Sequence, residues 1–419
     1  SLLISELRLN SADRDRWKGK DPFLLTPTNE RRLEHFARLA YADLRFGRMK
    51  DGIRGWETDP GRVVVRYGIP VSEAQNATRF DRYLMLHYGA FYFKFMELAK
   101  NGKLTFYSPK AGSAAPSFNE IERSIENDFA LISQRLFRDV PERFVYDANG
   151  RRMAFPYLAS TFIGTDGPEV VVAYGIPRAA VPGGTMADKP PPSGLFVLDE
   201  NGTILSRSTG RLPGKPHTIV SNEGEYDVWH RTAALPPVRP STVAVEFGGE
   251  EDSHVGFQRA VVRPPATTVN RPVLSDVLLA YLVEEEPHET GDSWLVRSGH
   301  AMLPAPWGVF EQGQPIYLYF ETYGIRDQGA GSGEIEVEAR LRSHERGDDV
   351  QDSITDVFVD TKQEAVSVRY TGMASAGRDA RYLILDTEGL DEGTYVVGLR
   401  LTETGTGHTA TTGRAVVLD

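Results

Sequence analysis

Cysteine is absent from all 419 positions of the chain. That excludes disulfides, thiol nucleophiles, iron–sulfur clusters and cysteine-ligated zinc, and leaves packing to hold the fold together. The absence fits chance or a thermophilic bias against labile residues, and equally an exported chain that avoids stray thiols. Long apolar runs are missing as well, since no window approaches the ~18–20 consecutive apolar residues that cross a bilayer. Basic residues are outnumbered, 47 against 58 acidic, and the net charge of −11 opposes attraction to nucleic acid or anionic lipid. Nucleic acid is therefore not an expected partner, and no transmembrane segment is visible. The chain opens at Ser1 with neither methionine nor a charged-then-apolar leader, the pattern of a processed form, so export cannot be read from this terminus.

Recognisable chemistry is equally scarce. Serine-hydrolase elbows, a Walker loop, a dinucleotide glycine fingerprint, a His-Glu-x-x-His helix and an EF-hand loop are not found. The histidines, His35, His87, His217, His230, His254, His288, His300, His344 and His408, include no pair at one helical turn or at alternate strand positions. Glu284, Glu285, Glu286, His288, Glu289 and Asp292 could offer calcium their carboxylates, but the spacing matches no calcium loop and reads as a solvated segment. No catalytic residue, metal ligand or cofactor is assigned. Asn76-Ala77-Thr78 and Asn201-Gly202-Thr203 match the glycosylation sequon, a short pattern that assigns nothing by itself.

The composition, 40% hydrophobic and 25% charged, is that of a folded protein, and the length implies two to four domains of roughly 100–150 residues. The first region reads as mixed helix and strand. Thr26-Pro27 suits a helix start, and Leu33, Phe36, Ala37, Ala40 and Leu44 recur at helical spacing until Gly47. Asp59-Pro60-Gly61 suits a tight turn followed by a strand over 62–67. Residues 82–88 and 91–95 flank Gly89-Ala90 as a hairpin, 103–108 could add a strand, and a second helix is expected over 117–137.

Beyond about residue 145, short β-rich runs are punctuated by Gly, Pro, Asn and Asp. Expected strands are 154–163, 169–174, 194–198, 203–208, 226–232, 242–247 and 257–262, enough for one sandwich. Residues 180–193 read as a mobile connecting loop, and 263–272 as a linker. A second sandwich would use 277–283, 316–323, 334–341, 366–370, 382–385, 395–401 and 414–418. In residues 334–341 the alternation points Ile335, Val337, Ala339 and Leu341 inward and charge to water. Tyr395, after Leu390-Asp391-Glu392-Gly393-Thr394, suits a tyrosine corner of the immunoglobulin type. The fold class is thus an α+β N-terminal domain, residues 1–145, followed by two all-β immunoglobulin-like sandwich domains, residues 146–267 and 268–419.

Two sets of residues are candidates for binding. Trp56, Asp59, Arg62 and Arg66 could form a shallow site for an anion or a sugar, since guanidinium forks and an indole face hold oxyanions and pyranose rings. The plainer reading of the same residues is packing and capping. Tyr317, Tyr319, Glu321 and Tyr323 share one face of a strand and could form a sugar-stacking platform, or be buried against a neighbouring sheet or domain.

The pentapeptide Gly55-Trp56-Glu57-Thr58-Asp59 carries a family resemblance: the chain resembles the GWxTD-domain family of bacterial, envelope-associated proteins. Lys20-Asp21-Pro22, Thr26-Pro27-Thr28-Asn29-Glu30, Ala42 and Arg45-Phe46-Gly47 resemble that family's approach to the motif. Arg62-Val63, Tyr67-Gly68 and Pro70 are similar to the family's stretch just after the motif, and Leu274-Ser275-Asp276-Val277-Leu278-Leu279-Ala280 and residues 317–323 to segments of longer members. Pro60 departs from the pattern, where a basic residue is commoner. The family supplies no agreed activity; the resemblance implies an architecture and a cell-envelope setting. The expected function is a non-enzymatic structural or protein-interaction component of the envelope or extracellular space that contacts other protein chains, including copies of itself as an oligomer or filament. A polysaccharide-binding module using the tyrosine face is one alternative. A carbohydrate-active or peptide-cleaving enzyme with Asp59 as acid or base is the other.

Overall fold

The computed structural model describes residues 17, 19–77, 82–97, 101–107, 128–140, 142, 144–146, 151–180, 190–211, 216–221, 224–248, 254–266, 271–285, 294–344, 357–358 and 364–419. The chain divides into two compact units, Ser1–Pro22 with Thr28–Asp147, and Phe23–Pro27 with Ala148–Asp419.

In the first unit, helix α1 runs over Glu30–Phe46, and its N-cap is Asn29, whose side chain accepts from the Arg32 amide at 2.9 Å. Thr26-Pro27 does not start it. Of the stripe expected to be buried, Phe36 and Ala40 are half-buried but Leu33, Ala37 and Leu44 are exposed, Leu33 by 60% and Leu44 by 91%, while Arg31, Arg38 and Ala42 are buried. The cause lies in the next helix. Residues 59–67 form not a turn and a strand but helix α2, Asp59–Tyr67, whose carbonyl end needs donors. Arg38 supplies them, reaching the carbonyls of Val65 at 3.4 Å and Arg66 at 3.3 Å. The β-branched Val63 and Val64 yield to tertiary packing: with Tyr67 they bury one face of α2 on a four-stranded antiparallel sheet.

That sheet has the order β1 (Ser72–Ala77), β2 (Arg82–His87), β3 (Tyr92–Glu97), β4 (Leu104–Phe106). The β2–β3 hairpin turns at Gly89, φ +84°, as its leading glycine implies. The polar sequence of β1 gave no strand signal. Helix α3, Phe129–Asp139, closes the core, in which the Tyr67 ring stacks on Phe93 and Phe137. Residues 117–127 of the expected second helix lie outside the described residues.

The second unit is β-sandwich throughout its described sheets. One sheet has the order β5 (Tyr157–Ile163), β6 (Pro168–Pro177), β10 (Gly224–Ala234), β9 (His217–Ser221). It faces another in the order β12 (Gly256–Val262), β11 (Ser241–Phe247), β7 (Pro192–Leu198), β8 (Ile204–Arg211). Val170, Val172, Tyr174 and Trp229 from the first sheet interleave with Leu195, Val197, Val243 and Phe247 from the second. Of the expected loop at 180–193, residues 181–189 lie outside the described residues.

The remaining strands build a second sandwich. One sheet contains β13 (Val273–Leu274), β18 (Ile316–Tyr323), β14 (Leu278–Glu285), β16 (His300–Pro304) and β15 (Leu295–Arg297), with β21 (Arg378–Leu385) also paired to β18. The other has the order β17 (Val309–Phe310), β23 (Thr409–Leu418), β22 (Gly393–Glu403), β19 (Ser332–Ser343), β20 (Glu364–Ser375). Ile335, Val337, Ala339 and Leu341 are fully buried, as the alternation requires, but the outer face of β19 is not all in water: Glu338 and Arg340 are buried too. Tyr395 donates to the Asp391 carbonyl at 2.9 Å, the bond of a tyrosine corner.

Candidate functional site

The Gly-Trp-Glu-Thr-Asp turn is built by steric and capping requirements. Gly55 opens a short 3-10 helix, Gly55–Glu57, pressed on α1 so closely that a Cβ would lie 1.8 Å from the Ala42 carbonyl oxygen. Its amide donates to Asp43 Oδ1 at 2.6 Å, and the other oxygen of Asp43 pairs with Arg54. The Arg54 guanidinium lies over the Trp56 ring at 4.1 Å. Thr58 is the N-cap of α2: its hydroxyl donates to the Gly55 carbonyl at 2.6 Å and accepts from the Gly61 amide at 3.2 Å. Asp59, in the first turn of α2, accepts from the Phe106 amide at 3.1 Å and so ties the helix to β4. Arg66 donates to the carbonyls of Phe137 and Val140 at the end of α3.

These contacts scatter the first candidate set. Asp59 and Arg62 share the wall of a small cavity with Thr105, Phe106, Ser133 and Phe137, but Trp56 and Arg66 do not line it. A larger crevice of about 400 Å³ opens on the other side of Asp59. Its lining includes the apolar Phe46, Ile53, Pro60, Leu84 and Leu104 and the cations Arg45, Arg48, Arg82 and Lys103, with Glu57 and Asp59 among them. Sequence reasoning missed it because those cations come from α1, the loop after α1, β2 and the loop before β4.

The second candidate set is a buried junction. Tyr317, Tyr319, Glu321 and Tyr323 do share a face of β18, but Tyr319 and Glu321 are fully buried and Tyr323 is 5% exposed, so the rings offer no platform for a sugar. Tyr317 is half-buried, its ring 6.2 Å from that of Tyr382. The Glu321 carboxylate accepts from Tyr319 at 2.7 Å, Tyr323 at 2.6 Å, Ser298 at 2.9 Å and the Arg297 fork at 2.6 and 3.1 Å. Arg297 also pairs with Glu169 on β6, and Tyr323 accepts from the Ile163 amide at 2.9 Å on β5. One carboxylate therefore links the two sandwiches. Burial pushes its pKa up, but the Arg297, Tyr323 and Tyr319 donors outweigh burial and hold it below the usual carboxylate range. The same burial, with Glu321 beside them, raises the two phenols.

Glu284 and Glu285 are exposed, and the rest of that acidic run lies outside the described residues. Among the described residues no group of three or more His, Asp or Glu is arranged to hold a metal ion, and no helix is long and apolar enough to cross a membrane.

No protein-family model and no curated protein matches the chain. Solved structures similar to it include one named BspA_C_mut, at 8% identity over 64% of this chain and 99% of that one, TM-score 0.18. Another is the wild-type C-terminal domain of the Streptococcus agalactiae AgI/II polypeptide BspA, at 9% identity over 63% and 99%, TM-score 0.16. Likenesses this distant carry no argument about function.

Proposed function

We propose that this chain is a non-enzymatic structural or protein-interaction component of the bacterial envelope or extracellular space. In this reading a GWxTD-like α+β domain precedes two immunoglobulin-like sandwich domains, and the partners are other protein chains, copies of this one included. The observation that carries it is how the side chains suited to chemistry are used. Asp59 spends an oxygen on a backbone amide, and Glu321 is saturated by tyrosine, serine and arginine donors. Both carboxylates hold backbone and side chains of neighbouring elements in place, which supports a structural role for them. The envelope setting rests on the resemblance of the 55–59 motif and its flanks.

Light scattering on native material, with electron micrographs of the same sample, tests the assembly part: ordered particles above monomer mass are expected, and a strict monomer at high concentration sinks it. The non-enzymatic part is tested by hydrolase screens on glycans and peptides. Turnover that disappears in Asp59→Asn would overturn it.

A further inference from the structure

We propose that the outer face of the β1 to β4 sheet binds an acidic polysaccharide, with a uronic-acid ring stacked on Tyr92 and its carboxylate on Lys94. The proposal goes beyond the protein-assembly reading and does not depend on it.

The face follows from the pleat. Leu84 and Leu86 of β2, Phe93 and Phe95 of β3, and Leu104 and Phe106 of β4 all point to the core shared with α2. The alternate residues therefore point the other way: Met85 and His87, Tyr92 and Lys94, and Tyr107 just past β4. Tyr92 is 39% exposed, and Met85, His87, Lys94 and Tyr107 are half-buried. Its neighbours hold the Tyr92 ring in place. The near-parallel His87 ring lies 5.4 Å from it and the Phe129 ring 5.2 Å, and Phe129 is itself tied to the sheet by its amide, which donates to the Tyr107 carbonyl at 2.8 Å. An exposed ring fixed in this way stacks on a flat ligand at little cost in ordering.

The charge on this face favours an anion. The Lys94 ammonium lies over the Tyr107 ring at 4.1 Å and the Tyr83 ring at 5.1 Å, and it makes no ion pair among the described residues. The two acids of these strands, Glu73 and Glu97, stand on the opposite face by register, level with Leu86 and with Arg82. A half-buried cation that meets rings but no carboxylate is suited to receive one from a ligand. Tyr92 and Lys94 alternate on β3 and so stand about 7 Å apart, which lets one uronate ring lie on the tyrosine while its carboxylate meets the ammonium. Single-stranded nucleic acid would bring several phosphates to one lysine in a chain whose net charge is −11. An acidic peptide backbone would satisfy Lys94 but lay no ring on Tyr92.

The test uses the full chain titrated by calorimetry with hexamers of galacturonate and of mannuronate, and with cellohexaose as the neutral counterpart. Saturable binding of a uronate hexamer that weakens with added salt is expected, with cellohexaose about tenfold weaker. Tyr92→Ala should weaken uronate binding about tenfold. Lys94→Met should weaken it about as much and erase the preference over cellohexaose, while Lys94→Arg should keep that preference, a pattern that a merely structural lysine would not give. Thermal melting of each variant shows that the fold is retained, and Lys94→Met decides the matter if Tyr92→Ala does not fold. No saturation with either uronate overturns the proposal, as does equal affinity for cellohexaose or binding unchanged by Lys94→Met. Tighter binding of a thymidylate hexamer or of hexaglutamate at the same salt would give the face to nucleic acid or to acidic peptides and overturn it as well. Light scattering keeps the two readings apart: a chain that assembles but ignores both uronates sinks this proposal alone, and a monomer that binds them sinks self-assembly alone.

Discussion

At Glu338 a charge expected in water is held in a buried cage. The residue is 2% exposed and accepts from Arg340 at 2.7 and 2.9 Å, from Arg369 at 2.8 Å and from Arg400. Phe358 covers the cage, its ring 4.6 Å from the Arg400 guanidinium, and Val357 beside it packs on Gly398, where a Cβ would meet it at 2.2 Å. Burial pushes the Glu338 carboxyl up, but the Arg369, Arg340 and Arg400 donors together outweigh it and hold the pKa at about 2. The folded pKa lies below that of the unfolded chain, so this stabilisation is complete above about pH 5 and drains away as the pH falls toward 2. Glu338→Gln should cost about 2 kcal/mol in urea unfolding at pH 7, discounted for the exposure of Arg369, and much less at pH 3. An equal cost at both pH values would remove the ionised carboxylate from the account. Sterics govern Gly55 as electrostatics govern Glu338. Gly55→Ala, which must displace the Ala42 backbone, should cost about 3 kcal/mol or more, while Gly377→Ala, with open space around it, should lie within about 0.5 kcal/mol of wild type. Similar midpoints for the two would contradict the close approach of the turn to α1.

Among elements, strands were legible and the helix at the motif was not. Period-two alternation located the inward residues of β19, and an apolar, aromatic run located β18, which is covered on both faces. Helix α2 was hidden by its own composition: Arg62-Val63-Val64-Val65-Arg66-Tyr67 has the β-branched content of a strand. The start signal was present, since Thr58-Asp59-Pro60 places a capping hydroxyl, an acid and a proline in order, but proline and glycine in succession equally suit a turn. Polar β1 and the exposed leucines of α1 had no sequence signature, because both depend on which neighbours the fold supplies. The candidate sites divide the same way. The spacing of Tyr317, Tyr319, Glu321 and Tyr323 was readable within one strand, whereas Arg297, which makes them a junction, arrives from β15. If Thr58 is the helix cap, Thr58→Ala should cost about 1 kcal/mol and Thr58→Ser a few tenths, measured by urea unfolding with helical circular dichroism recorded alongside. A Thr58→Ser variant as unstable as Thr58→Ala would show that the hydroxyl is not the group that matters.

On the largest scale, the two sandwiches of the second unit keep separate cores but share an apolar border. Leu158, Phe162 and Val171 of the first belong to the same buried cluster as Leu278, Leu318, Tyr319 and Val397 of the second. Polar contacts pin its border: Asp276 accepts from the Thr161 amide at 2.9 Å and hydroxyl at 2.7 Å, and Arg414 donates to the Ala159 carbonyl at 2.8 Å. Neither sandwich can open without exposing apolar surface of the other, so the pair should behave as one cooperative block. Native-state hydrogen exchange measures this directly. Amides of β6 and of β19 should exchange through openings of equal free energy and equal denaturant slope. Arg297→Met provides the perturbation, since it leaves the fully buried Glu321 carboxylate with only the more distant Arg378 guanidinium, at 3.7 Å, and takes from Glu169 its pairing with Arg297. Loss of one member of a buried pair costs about 3–5 kcal/mol, and the cost should fall on both strands together. Should β6 amides alone become labile while β19 keeps its protection, the shared apolar border does not couple the sandwiches, and each would have to be treated as folding for itself.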